Sequence, residues 1–351
     1  MIKHVKIENF FNLKQFEAPQ LAGINLLIGD NDTGKTALLK LLYAISKTWE
    51  IYSRKHFYET PSFQKILGEK LLGTFQPGKN QLGELVTKSI KDKLKVSVTY
   101  SKGKVDQNIG FKFGGATQDT LNDGTDSVAV MGDDYNVIFI PAKEVLTAFR
   151  AIKFTREPHH LTGFDDTYLD LIKSLEIPTQ APDKLGPLNE INQQLEEILG
   201  GKIHQTDDNF FFKRGHQEFS MPMTAESFKK IGTLTTLIQN HQLNTGTILF
   251  LDEPESALHP KAIRRLVKIL VRLASAGVQV FLSTDDFFIA QQLSICARRE
   301  NSSICCFSLL ENHQGDIEAH CVDLKNSTPS SLIVDELLKM SDEDVALDFI
   351  N

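Results

Sequence analysis

The sequence predicts an α/β chain built around a parallel sheet. Short unbroken apolar runs at 24–28, 136–140, 247–251 and 278–283 have the length and character of strands buried on both faces. Helical periodicity fills 35–46, 227–240 and 260–275 between and after them. Strand, helix and strand in alternation mean parallel pairing with crossover helices.

In chain order, residues 2–9 alternate as a strand through Ile2, Val5 and Ile7, and Phe10, Phe11, Leu13 and Phe16 follow. The run INLLI at 24–28 leads through a glycine-rich turn into a helix with Leu38, Leu39, Leu41, Leu42 and Ile45 on its apolar positions. Residues 47–92 are mixed and helical in pieces. Segments 94–100 and 109–113 read as antiparallel strands, and the Gly-, Thr- and Asp-rich stretch 114–134 as a loop. Pro141 stops the strand at 136–140. Residues 164–200 are rich in helix and 202–220 in short strands. There is no internal repeat and no long heptad.

The 351 residues suggest two or three lobes. Hydrophobic residues at 41% and charged residues at 24% exclude a disordered, collagenous or coiled-coil chain. No apolar run approaches the roughly 18 residues of a membrane span. The opening MIKHVKIENFFNLK breaks its apolar residues with charges, unlike a signal peptide. The expectation is a cytoplasmic protein with no membrane partner. Four cysteines, all in the last fifth and without a CxxC, read as reduced thiols and not as a disulfide framework or zinc site.

The net charge of −7 is unevenly spread. Residues 46–112 carry thirteen Lys and Arg against six Asp and Glu, whereas 313–351 carry two against nine. The basic stretch suits a phosphate backbone; scattered as its lysines are, it equally suits a solvated surface.

The sharpest motif is Gly29-Asp30-Asn31-Asp32-Thr33-Gly34-Lys35-Thr36, a GxxxxGK[ST] string between a buried strand and a helix. Such a loop wraps a β-phosphate with successive backbone N–H groups, and its glycines allow the close approach. The helix N-terminus, from Lys35 through Ala37, adds partial positive charge. Lys35 reaches the β- and γ-phosphates and Thr36 offers a hydroxyl to Mg²⁺. The second motif is the run 247–251 ending in Asp252 and Glu253. Two adjacent acids after a run of aliphatics are costly unless a cation or nucleotide uses them. Asp252 suits Mg²⁺, and Glu253 suits the polarisation of an attacking water.

Asp252-Glu253-Pro254-Glu255 followed by Ser256-Ala257-Leu258-His259-Pro260 resembles the ABC-type ATPases of the SMC, RecF and OLD kind, the Leu-His-Pro ending being typical of the OLD-like and RecF-like branch. The openings VKIENFFNLKQF and LAGINLLIGDNDTGKT are similar to that branch, as are the strings FIPAKE at 139–144 and TAESFKK at 224–230. The resemblance implies a P-loop NTPase with a mixed, largely parallel ABC-ATPase-type sheet, an antiparallel β subdomain and a helical insertion. The corresponding lobes are 1–140 with the phosphate loop and antiparallel strands, 141–205 as the helical insertion, and 206–351 with the signature-like helix, the acidic strand and an acidic C-terminal helix.

The resemblance further implies a homodimer, or a higher oligomer, that sandwiches two ATP molecules with Mg²⁺. Each site takes Gly29, Asn31, Asp32, Thr33, Gly34, Lys35, Thr36, Ala37, Asp252 and Glu253 from one subunit, with Glu253 and Lys35 catalytic and Thr36 and Asp252 on the metal. The other subunit adds a signature segment, here Glu226 and Ser227 with Lys229 and Lys230 one turn on. The usual Ser-Gly pair of that segment is degenerate, and a plain helix start capped by Ser227 is the competing reading. Ser256 to His259 would be the loop that crosses the interface. The strand at 278–283 should end in Thr-His, the His sensing the γ-phosphate, but here it ends in Thr284-Asp285-Asp286. An ionised Asp285 cannot donate to a phosphate oxygen and would repel one, which implies slow turnover. The alternative is an Asp285 turned away towards a cation of the partner subunit.

The chain lacks the intact signature of transporter subunits, and the gap from Thr36 to Asp252 is too short for the coiled coil of an SMC protein. About sixty residues follow Asp286, with no acidic triplet for the nuclease of OLD proteins. These departures point to an ATPase without its own nuclease. By analogy it is the sensor or scaffold of a bacterial anti-phage defence system, holding a separate effector such as a nuclease or toxin. The alternative is a RecF-like repair ATPase with DNA as its direct partner. The acidic segment 332–349 would either dock a basic effector or cover the sheet as a surface helix.

Overall fold

The structure is a computed structural model that describes residues 1–327 except 55–60, 89–90, 103–104, 126–127, 129–134, 157–161, 181–184, 207–208 and 313, and beyond 327 only 339 and 342. The acidic segment 332–349 therefore lies almost wholly outside the described residues.

The strands are β1 (Ile2–Phe10), β2 (Leu13–Ala18), β3 (Ile24–Gly29), β4 (Leu94–Lys102), β5 (Val105–Phe113), β6 (Val137–Ile140), β7 (Lys202–Thr206), β8 (Asn209–Arg214), β9 (Gln217–Ser220), β10 (Ile248–Asp252), β11 (Gln279–Ser283), β12 (Ile304–Glu311) and β13 (Ile317–Asp323). The helices are α1 (Lys35–Arg54), α2 (Phe63–Phe75), α3 (Phe149–Arg156), α4 (Asp166–Leu175), α5 (Leu188–Leu199), α6 (Glu226–Gln239), α7 (Pro260–Ser275) and α8 (Phe287–Glu300). Ten strands form one mixed sheet in the order β5-β4-β1-β2-β13-β12-β3-β11-β10-β6, and β7-β8-β9 form a separate antiparallel sheet.

The block β12-β3-β11-β10-β6 is parallel throughout. Its strands are almost wholly buried because both faces are covered, and the Asn25 side chain inside β3 is satisfied by the Ala22 N–H and carbonyl. Ile24, Leu26, Leu249, Leu251, Val280 and Leu282 pack towards α7 and the helices α3–α6. The alternate residues Leu27, Ile248, Phe250 and Phe281 pack towards α1 and the antiparallel strands. The remaining strands pair antiparallel, apart from a short parallel contact of β13 with β2 that joins the N-terminal hairpin to the C-terminal one.

Three features go beyond the sequence reading. Helix α1 continues past Ser46 to Arg54, because Trp49 packs edge-on to Tyr100 at 4.5 Å and Glu50 accepts the Val137 N–H at 2.7 Å. The C-terminal part is built as α8, β12 and β13, which carry the four cysteines as free thiols. A buried ionic network joins α1, α2 and α4. Lys70 pairs with Asp166 at 2.9 Å and Asp170 at 2.7 Å, the Tyr43 hydroxyl donates to Asp170 at 2.5 Å, and Lys40 pairs with Asp165 at 2.6 Å. Burial alone would lower the Lys70 ammonium, but Asp170 and Asp166 hold it above its ordinary value. Among the described residues no helix is long and apolar enough to cross a membrane.

Two glycines of α2 sit where a neighbour approaches closely. A Cβ on Gly68 would lie 2.4 Å from the Asp119 carbonyl oxygen, and one on Gly73 would lie 2.4–2.5 Å from the Asp166 carboxylate of the ionic network. In an exposed helix Gly→Ala stabilises by up to about 1 kcal/mol. Here Gly68→Ala is expected to destabilise by about 1–3 kcal/mol, measured as a lower urea midpoint at unchanged slope. An increase in the midpoint would show that the 114–125 loop yields freely.

Candidate nucleotide-binding site

The parallel strands β3, β6, β10 and β11 all end at the same edge of the sheet, so the loops that follow them converge there. Crevices at the carboxyl ends of parallel strands are where open α/β sheets bind ligands.

Gly29 closes β3, and a Cβ there would lie 2.5 Å from the Leu309 carbonyl oxygen and 2.8 Å from the Thr33 hydroxyl, so only glycine fits. Asn31 and Asp32 are exposed at the tip of the loop, with Asp32 in the left-handed region at φ 67°. Thr33 is buried and its hydroxyl donates back to the Asp30 carbonyl at 2.8 Å. Gly34 has φ 90° with open space on its Cβ side. Ala37 is half-buried in the first turn of α1. The buried Lys35 ammonium donates to the carbonyls of Gly29 and Asp30, both at 2.7 Å, and pairs with the Asp285 carboxylate at 2.7 Å. The contact with Asp285 is a close ion pair without hydrogen-bond geometry, since that carboxylate oxygen has no hydrogen-bond partner among the described residues.

Asp252 ends β10 and one of its carboxylate oxygens accepts from the Thr36 hydroxyl at 2.8 Å and from the Ser283 hydroxyl at 2.5 Å. Thr36 and Asp252 thus stand side by side as hard oxygen donors. Among the described residues no group of three or more His, Cys, Asp or Glu side chains is placed to hold a metal. One hydroxyl and one carboxylate fit a Mg²⁺ that keeps waters and takes its remaining ligands from substrate phosphates.

Glu253 follows in the left-handed region at φ 45°, its N–H on the Ser283 carbonyl at 3.0 Å. Glu253 is half-buried, and its carboxylate makes no hydrogen bond among the described residues. Glu255, to which the sequence reading gave no role, is buried. It accepts the Thr284 hydroxyl at 2.5 Å, while its second oxygen has no partner among the described residues. Burial pushes its carboxyl up to about 7, against the Thr284 hydrogen bond.

The signature candidate opens α6. Ser227 does not cap α6; the N-cap position is Ala225, which has no side-chain cap bond. Glu226 is exposed and pairs with Lys229 at 2.6 Å. Lys229 is itself buried and also lies 3.8 Å from Glu144, so it points into its own subunit. Its neighbour Lys230 is the one that reaches the acidic strand end, donating to the Glu253 carbonyl at 2.7 Å and to the Ser256 hydroxyl. The exposed His259 caps α7, its Nδ1 accepting the Lys261 N–H at 3.2 Å.

The structure therefore gathers the loop residues 29–37, Asp252, Glu253 and Asp285 at one site. Glu226 and His259 make only local contacts, with Lys229 and Lys261, and no hydrogen bond or ion pair joins Glu226, Ser227 or His259 to that site among the described residues. Asp285 is not turned outward; it faces the phosphate-loop lysine of its own subunit. Asp286 beside it caps α8, accepting the Phe288 N–H at 2.5 Å.

A family model described as "AAA domain, putative AbiEii toxin, Type IV TA system" matches residues 24–286. No curated protein sequence matches the chain. Among solved structures, an SMC head bound to the C-terminal winged-helix domain of ScpA superimposes with a TM-score of 0.54 at 10% identity, over 93% of this chain and 98% of that one. An SMC head with an extended coiled coil, bound to the C-terminal domain of ScpA and derived from Pyrococcus furiosus, gives 0.53 at 10% identity, over 96% and 99%. At that identity the likeness establishes the fold, which is the ABC-ATPase-like P-loop fold of SMC heads.

Proposed function

The chain belongs to the AAA_21 family of AAA domains, and from that premise we propose that it binds and hydrolyses ATP with Mg²⁺, dimerises around the nucleotide, and serves as sensor or scaffold for a separate effector in a bacterial defence system. The observation that carries the enzymatic part is the Thr36–Asp252 contact at 2.8 Å beside Lys35 and Glu253. It brings a lysine, a hydroxyl and two carboxylates together at the ends of β3 and β10, which flank β11, and this supports their reading as phosphate cation, metal ligands and base.

In this reading Lys35 exchanges its loop carbonyls and Asp285 for the β- and γ-phosphates. The N–H groups of the loop and of the first turn of α1 take the remaining phosphate oxygens. Thr36 and Asp252 hold Mg²⁺, which when bound neutralises phosphate charge. Glu253 orients the attacking water and accepts its proton. Asp285 stands where a donor to the γ-phosphate would help, so turnover is slow. Glu226 and Ser227, with the 256–259 loop, would complete the partner's site. The lobes 1–140, 141–205 and 206–351 belong to the same proposal, as does a cytoplasmic location. The effector role is supported by the toxin–antitoxin description of the family and by the ScpA domains carried by the similar SMC heads.

Glu253→Gln tests this reading. It keeps shape and removes the base, so hydrolysis should fall by at least about a hundredfold with ATP affinity retained. The ATP-bound dimer should accumulate in light scattering. A variant that stays monomeric with ATP and Mg²⁺ while the wild type dimerises would remove the support for the sandwich.

A further inference from the structure

Two adjacent lysines of α6 do different work. On a helix, neighbours point about 100° apart, and here the separation sends Lys229 into its own subunit and Lys230 across to the loop after β10. Lys230 is half-buried and donates to two acceptors of that loop, the Glu253 carbonyl at 2.7 Å and the Ser256 hydroxyl. The Ser256 hydroxyl also lies 3.4 Å from the Ala142 carbonyl after β6. One ammonium thus ties α6 to the loop that carries the proposed base.

The loop needs such a tie. Glu253 has φ 45° and Ala257 φ 67°, left-handed values that non-glycine residues adopt at a cost. The direction of the Glu253 carboxylate follows from that backbone setting. The Glu253 N–H is held by Ser283 at 3.0 Å and its carbonyl by Lys230, so both sides of the residue are fixed. Lys230 makes no hydrogen bond to Lys35, Thr36 or Asp252 among the described residues, although the carboxylates of Glu255, Glu253 and Asp252 favour its charged form.

We propose that Lys230 is a positioning residue that sets the Glu253 carboxylate for hydrolysis and transmits the placement of α6 to it. This rests on the ATPase reading above. If α6 meets nucleotide in a partner subunit, the same ammonium carries that event to the base, through a rigid helix and one hydrogen-bonded loop.

The test uses the full-length chain and Lys230→Met, which keeps the buried stem and loses the charge, together with Lys230→Arg, Glu253→Gln and the double variant Lys230→Met/Glu253→Gln. Lys230→Met should lower kcat for ATP between about tenfold and a hundredfold with the ATP Kd within about twofold of wild type, and Lys230→Arg should recover part of it. In the Glu253→Gln background Lys230→Met should cause no further loss, since both act through one group. Amide exchange of the nucleotide-free chain supplies a readout independent of turnover. The Glu253 N–H should exchange about tenfold faster in Lys230→Met while the Leu38 N–H stays unchanged. Wild-type kcat in Lys230→Met, or an added loss in the double variant, overturns the positioning role. A wild type without ATP hydrolysis overturns the ATPase reading instead, and the exchange result then decides whether Lys230 holds the loop.

Discussion

Asp285→Asn tightens ATP binding. The Lys35 ammonium donates to two loop carbonyls and pairs with Asp285, the one fully charged group among these three partners. A nucleotide must displace that carboxylate and then tolerate it nearby. Removing the charge weakens the competitor and the repulsion together. Asp285 is 38% exposed, so solvent screens part of the effect, and about 1 kcal/mol, roughly fivefold in Kd, is the expected gain. Calorimetry with a slowly hydrolysed ATP analogue measures it. Added salt should shrink the difference between the variants. For the chemical step, Asp285→His supplies a donor and should raise single-turnover hydrolysis; Asp285→Ala relieves repulsion alone and should raise it less. A wild type slowed equally by both would show that Asp285 assists the reaction and does not obstruct it.

Lys35→Ala should cost at least about 3 kcal/mol in ATP affinity, a hundredfold or more. Two losses add: the cation that neutralises the phosphates disappears, and Asp285 is left facing the phosphate site without its counter-charge. The second loss gives a specific signature. Adding Asp285→Asn to Lys35→Ala should recover more affinity than Asp285→Asn gains alone, because in the double variant it removes an uncompensated charge. Equal gains in both backgrounds would mean that the ion pair has no bearing on nucleotide binding. Unchanged affinity in Lys35→Ala itself would reject the loop as the phosphate site.

Much of the sheet was legible because burial on both faces writes itself as a largely apolar run, as in Ile24–Gly29 with its single Asn25 and in Ile248–Asp252 before its terminal acid. The phosphate loop was legible because its spacing is dictated by backbone geometry over eight consecutive residues. The strands β12 and β13 were not anticipated. The buried face of β13 is thin, and only pairing with distant strands gives it a role. The Lys35–Asp285 pair was equally hidden. Its partners are 250 positions apart, and they meet only because β11 lies against β3 with Ser283 opposite Leu27. Likewise, periodicity shows that Lys229 and Lys230 differ in direction but not which of them faces the acidic loop. That depends on how α6 sits against β10.

The placement of β11 between β3 and β10 also governs the order in which the protein becomes able to work as it is made. The ribosome delivers the phosphate loop early, the acidic strand some two hundred residues later, and last the strand that must slot between them. Until that insertion the lysine lacks its carboxylate partner, Asp252 lacks the Ser283 hydroxyl, and the two halves of the site face each other across an open sheet edge. Long-range pairing of this kind is slow and leaves unpaired edges exposed. A nascent chain stalled before residue 279 would thus hold the phosphate loop and the acidic strand in its covalent sequence and still have no assembled pocket. Competence arrives late, when β11 closes the gap between the two older parts of the site and β12 then seats Leu309 against Gly29.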